Sequence, residues 1–124
     1  MTIPRVAATT VLALRISYGV ALIAAPRRLA LRWLGPAAED APAQVALRGL
    51  GARETILHAG ALLAATRGRP LRPWLAASVA GDLTDVIATA IGRRRLPRGS
   101  SQATLAVGGG SALASALLAV AVDA

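Results

Sequence analysis

Six ionisable side chains fall inside otherwise apolar stretches of this chain: Arg15, Arg53, Glu54, His58, Asp82 and Asp85. An imidazole among carboxylates is a set that passes protons or grips a divalent metal. A guanidinium beside carboxylates forms charge-assisted ion pairs or an anion site. The residues around them are mostly Ala, Leu, Val and Ile. At the centre of a bilayer a charge costs about 2.5–3.5 kcal/mol on insertion scales unless it is paired or hydrated. Six such groups are therefore expected to point toward one another.

At about 100° per residue, Ser78, Asp82, Asp85 and Thr89 fall on one stripe of a helix. Glu54 and His58, four residues apart, share a face, with Gly51 above them and Arg53 off to the side. In depth, Arg15, His58 and Asp82 form one layer of an antiparallel set, and Arg53, Glu54 and Asp85 a second. The charges nearly cancel: Arg15 and Arg53 against Glu54, Asp82 and Asp85 leave one negative. A protonated His58, a protonated carboxylate or nearby Arg48 would neutralise it.

These residues admit three readings. One is a ligand-free ion-pair network that fixes the register of similar apolar helices. A second is a hydrated pocket or relay in which His58, Asp82 and Asp85 exchange protons or hold a polar ligand. A third is a metal site from Glu54, His58, Asp82 and Asp85, disfavoured by a single His and two adjacent arginines. Hydrolase chemistry finds no H-E-x-x-H, no G-x-S-x-G and no glycine-rich phosphate loop. Gly108-Gly109-Gly110 lies in an apolar stretch with no following Lys, so helix packing or a kink accounts for it. The Asp82-x-x-Asp85 pair is similar to the acidic pairs of membrane prenyl-type transferases, but those repeat the motif on a larger bundle. The expectation is a chain without catalytic residues, cofactor or metal.

The elements that must position these residues follow from composition. Of 124 residues, 55% are hydrophobic and the mean hydropathy is +0.56, well above an ordinary soluble domain. There is no Phe and one Tyr, so a core of small residues is implied. The absence of Cys excludes disulfides and thiolate chemistry. A formal charge of +8 would suggest nucleic acid in a soluble chain. Here the 14 basic residues, all Arg, gather mainly between apolar stretches and read as topology signals and lipid-headgroup contacts, with no nucleic-acid partner.

Four transmembrane spans are predicted, at residues 6–25, 43–65, 74–91 and 103–122, within one domain, 1–124. The first ends at Pro26, and Arg15 inside it argues against a cleaved signal peptide. Residues 26–42 contain a short amphipathic segment, with Leu29 and Trp33 four apart, that forms an interfacial helix or an extension of the first span. The second span is the most polar. The short turn with Gly68, Pro70 and Pro73 makes spans two and three antiparallel neighbours. Span four carries no charge, and Gly108 with Ala112 and Ser111 with Ser115 give small-xxx-small spacing.

Seven arginines (27, 28, 32, 93, 94, 95 and 98) lie in the loops after spans one and three, against Arg5, Arg67, Arg69 and Arg72 on the other face. The positive-inside rule then places both termini outside the cytoplasm.

At Gly49-Leu50-Gly51-Ala52-Arg53-Glu54 and Gly81-Asp82-Leu83-Thr84-Asp85 the sequence resembles a group of small bacterial four-helix integral membrane proteins of unknown function. The stretch from Tyr18-Gly19 to Pro26 is similar as well. The resemblance implies architecture and the choice of site residues, and no activity. The expectation is an all-α, up-down-up-down bundle in the bacterial inner membrane, with the lipid bilayer and a second copy or another membrane protein as partners. It would serve as a non-catalytic accessory or interaction component. A small ion- or proton-coupled carrier using His58, Asp82 and Asp85 is the alternative, a membrane-embedded enzyme the next, and a soluble Ala-rich bundle the last.

Overall fold

Proline sets where the helices begin. Pro4, Pro26, Pro42 and Pro73 each stand in a first helical turn, where the missing N–H leaves no hydrogen bond unmade. The computed structural model describes residues 2–122. These fold into five helices without strands: α1, Ile3–Ala24; α2, Pro26–Leu34; α3, Ala41–Thr66; α4, Arg72–Gly92; and α5, Ser100–Ala121. Short 3-10 turns at Gly35–Glu39 and Arg93–Arg95 follow α2 and α4.

The segment after span one is a separate helix. Ala25, at φ −139° and ψ 61°, breaks the chain out of α1 before α2 starts at Pro26. Gly35 then turns with φ +64°, and a side chain there would collide with Pro97, whose Cγ lies 2.7 Å from the position a Cβ would take. The loops after α2 and α4 therefore meet.

Three helices are long and apolar enough to cross a membrane, the mark of a membrane protein: Ile3–Ala24, Arg72–Arg95 and Ser100–Ala121. α3 is the longest, at 26 residues, but is not among them. Arg48, Arg53, Glu54 and His58 on it lower its hydropathy.

The tightest packing is not between the sequence neighbours α3 and α4. α1 lies antiparallel on α3, and the two backbones meet where both lack side chains. A Cβ on Gly19 would stand 2.8 Å from the Gly51 carbonyl, and one on Gly51 would stand 2.7 Å from that of Gly19. α4 lies antiparallel on α5, with Gly108 against Val86 and the Asp82 carbonyl. α3 and α4 are held further apart because the Trp74 ring fills the space over Gly60, 2.7 Å from where a Cβ would be. The molecule is thus two close helix pairs laid side by side.

Two apolar clusters close the ends of this arrangement. Ala8, Ala64, Ala65, Leu71, Leu75 and Val122 pack at one end; Leu22, Ala30, Ala38 and Leu47 at the other. The buried polar groups Glu54, His58, Ser78 and Asp82 lie between them.

Candidate functional site

The stripe on α4 places four polar side chains on successive turns, and each takes a partner from another helix, two from α3 and one each from α1 and α2. Ser78 meets His58 of α3, with His58 Nε2 2.8 Å from Ser78 Oγ. Asp82 receives Arg15 of α1. Asp85 faces Arg53 of α3 at 4.0 Å. Thr89 accepts a hydrogen bond from Trp33 Nε1 of α2 at 2.9 Å. The regular i, i+3, i+4 spacing of one helix face is what brings α1, α2 and α3 onto α4.

Arg15 is the centre of the set. Its guanidinium donates to both oxygens of Asp82, Nη1 to Oδ2 at 2.7 Å and Nη2 to Oδ1 at 2.6 Å. Nη2 also donates to Glu54 Oε2 at 3.1 Å. The fork geometry of Arg suits this two-pronged grip on a carboxylate. The three side chains are only 6–12% exposed, so the pairing is largely withdrawn from solvent. Arg15 Nε is buried without a partner, as is Ser115 Oγ on α5.

His58 is fully enclosed. Its Nδ1 lies 2.6 Å from the Glu54 carbonyl, which only accepts, so Nδ1 carries a proton. Ser78 Oγ lies 3.2 Å from the Trp74 carbonyl as well as beside Nε2, yet the hydroxyl has a single proton to donate. A neutral imidazole takes that proton's hydrogen bond at Nε2. A protonated one donates to Ser78, which turns its own proton to Trp74. The Glu54 carboxylate, 3.4 Å from Nδ1, joins this corner to Arg15.

The two expected layers are regrouped by these contacts. Glu54, expected at the depth of Arg53 and Asp85, is bonded by Arg15 of the other layer, because α1 and α3 approach closely at Gly19 and Gly51 and bring Arg15 alongside it. His58 bonds to Ser78 and to backbone, and makes no hydrogen bond to Asp82. Arg53 lies to the side, with half of its side chain exposed, as its rotation on α3 implies. Arg48 does not neutralise the network; its Nε donates to the Ile23 carbonyl. Among the described residues no group of three His, Asp or Glu side chains is placed to hold a metal ion. Arg15 has taken the carboxylates that such a site would need.

Beside the network a cleft of about 730 Å³ runs between α1 and α5, under α2. Arg15, Glu54, Asp82 and Asp85 form its floor, and Val11, Leu14, Leu29, Leu50 and Val107 line its walls. The rim residues Leu14, Tyr18 and Val107 are exposed, so the cleft opens sideways between the two helices. α5 is not a regular α-helix there. Leu105–Gly109 forms one π-helical turn, and Gly108 and Gly110 line the cleft. Such turns are rare and frequent at functional sites.

Several of these residues carried no functional reading in the sequence. Trp33 stood out as a membrane-interface residue, but its indole N–H is bonded to Thr89, and its carbonyl accepts from Ser100 Oγ at 2.7 Å. In the sequence Tyr18 marks only a stretch of resemblance, and the glycines of the π turn only helix packing or a kink. The α1–α3 crossing had one available signal, the small pair Gly51 and Thr55 four residues apart; Thr55 Oγ1 would lie 2.6 Å from a Cβ on Gly19. Compared with known proteins, the chain matches no family model, no curated protein and no solved structure.

Proposed function

We propose that the chain is a four-span inner-membrane protein, a non-catalytic accessory or interaction component whose two helix pairs are joined by a buried ion-pair network. The observation that carries this is Arg15 of α1 bonded at once to Asp82 of α4 and Glu54 of α3. Of the ionisable groups on α3, Glu54 and His58 point inward and are partnered by Arg15 and Ser78, while the exposed Arg48 and Arg53 reach the Ile23 carbonyl and Asp85; this partnering supports α3 as the fourth span despite its low hydropathy. The same pairing supports a structural role for the polar residues over a catalytic one, since Arg15 and His58 already have protein partners. Both termini are assigned to the non-cytoplasmic face from the arginine count alone, and the resemblance to small bacterial four-helix membrane proteins supports the number of spans.

The chain has no cysteine, so single cysteines report topology cleanly. Thr2→Cys, Ala37→Cys, Arg69→Cys and Arg94→Cys place one thiol at the N-terminus and one in each connection. With a membrane-impermeant maleimide on intact cells, positions 2 and 69 are expected to label, and 37 and 94 only after permeabilisation. Labelling of 37 and 69 from the same side would show that α3 does not cross, and would overturn the four-span reading.

A further inference from the structure

The charges on the cleft floor do not balance. Arg15 is engaged by Asp82 and Glu54, which leaves Asp85 as a third carboxylate on the same floor. Among the described residues Asp85 accepts no hydrogen bond, and its one ion pair is the 4.0 Å approach of Arg53, whose side chain is itself half exposed. The Asp85 side chain is 31% exposed. Arg32, the remaining cation of the lining, is exposed on α2 next to Trp33. The walls are apolar, Tyr18 and Trp33 add aromatic surface, and the volume falls in the usual range for small-molecule sites, about 300–1,000 Å³.

We propose that this cleft binds an amphipathic organic cation, with its charge against Asp85 and its apolar body along Leu14, Leu29, Leu50 and Val107. Sign decides the class. An anion entering past Arg32 would meet three carboxylates with one guanidinium already bonded between two of them, whereas a cation in the cleft would give Asp85 a closer partner than Arg53, which stands 4.0 Å away. Aromatic rings add attraction for a cation and none for an anion. The sideways opening decides the route, because amphipathic cations gather at the membrane interface and reach the cleft between α1 and α5. The inference rests on the four-span reading, which puts that opening in the bilayer.

The test uses the full chain in phosphatidylcholine nanodiscs, with tetraphenylphosphonium as the probe and tetraphenylborate as a body of the same shape and opposite charge. Equilibrium dialysis on the unaltered chain measures binding. Of the two Trp residues, Trp33 lines the cleft and Trp74 does not, so Trp33 fluorescence in a Trp74→Phe background reports the site. Saturable phosphonium binding with Trp33 quenching is expected, weakened at least tenfold by Asp85→Asn and kept by Asp85→Glu. Uptake no greater than that of empty nanodiscs, equal affinity in Asp85→Asn, or tighter binding of the borate would each overturn the proposal. The cysteine labelling is run on the same expressed chain. No binding by a chain that labels as four-span overturns the cation site alone, while a three-span pattern overturns both.

Discussion

The crossing of α1 with α3 and the boundary between the two helix pairs solve one problem, joining apolar helices, in opposite ways. At the crossing, Gly19 and Gly51 let the backbones touch, with no side chain between them. At the boundary the helices stand apart and Arg15 reaches across to Asp82. In lipid the hydrophobic effect does not drive helices together, so contact must come from close packing or from polar bonds. The crossing uses the first and the boundary the second. Packing by glycine leaves no free volume, whereas bridging by a long side chain leaves the cleft beside it.

Substitutions should separate the two devices, read as unfolding free energy in mixed micelles titrated with dodecyl sulfate. The largest loss is expected at the boundary: Asp82→Ala removes both oxygens of the two-pronged grip, leaves the buried Arg15 only its 3.1 Å bond to Glu54, and should cost about 3–5 kcal/mol. Adding Arg15→Gln should restore part of it, since the under-partnered guanidinium is then gone and Glu54 keeps the His58 imidazole 3.4 Å away. Gly51→Ala should come next, about 1–3 kcal/mol from overpacking against Gly19 and Ile23. A rise in stability for Gly51→Ala would mean the crossing is looser than described. Trp33→Phe removes the bond to Thr89 and should cost about 1 kcal/mol, because a Thr hydroxyl on a helix has its own backbone carbonyls within reach. Arg53→Gln should be smallest, within about 1 kcal/mol, as its pair with Asp85 is long and partly exposed. An Arg53 effect as large as that of Asp82 would erase the distinction between a buried bridge and a peripheral one.

The polar half of this comparison is more legible in the sequence than the packed half. Helical rotation alone puts Ser78, Asp82, Asp85 and Thr89 on one face, and the cost of lone intramembrane charges requires them to find partners. Which partner each finds depends on how helices cross, and that is set at Gly19 and Gly51. A glycine in an apolar run looks the same whether it faces lipid or another backbone, so the bond of Glu54 to Arg15 across the two expected layers could not be read off. The three glycines of α5 signalled a kink or a packing site; the extra residue of a π turn depends on tertiary contacts with α4, which spacing does not encode. Likewise Trp33 carries the composition of an interface anchor, while its bond to Thr89 joins positions 56 residues apart.

Arg15 of one helix pair, bonded to Asp82 of the other, is the bridge on which their joining rests. A double-mutant cycle of Arg15→Gln with Asp82→Asn, measured by the same unfolding titration, tests it most directly. A buried bridge between the pairs gives a coupling of about 2 kcal/mol or more, toward the upper end of what contacting pairs show. Losses that simply add, to within about 0.5 kcal/mol, would contradict it.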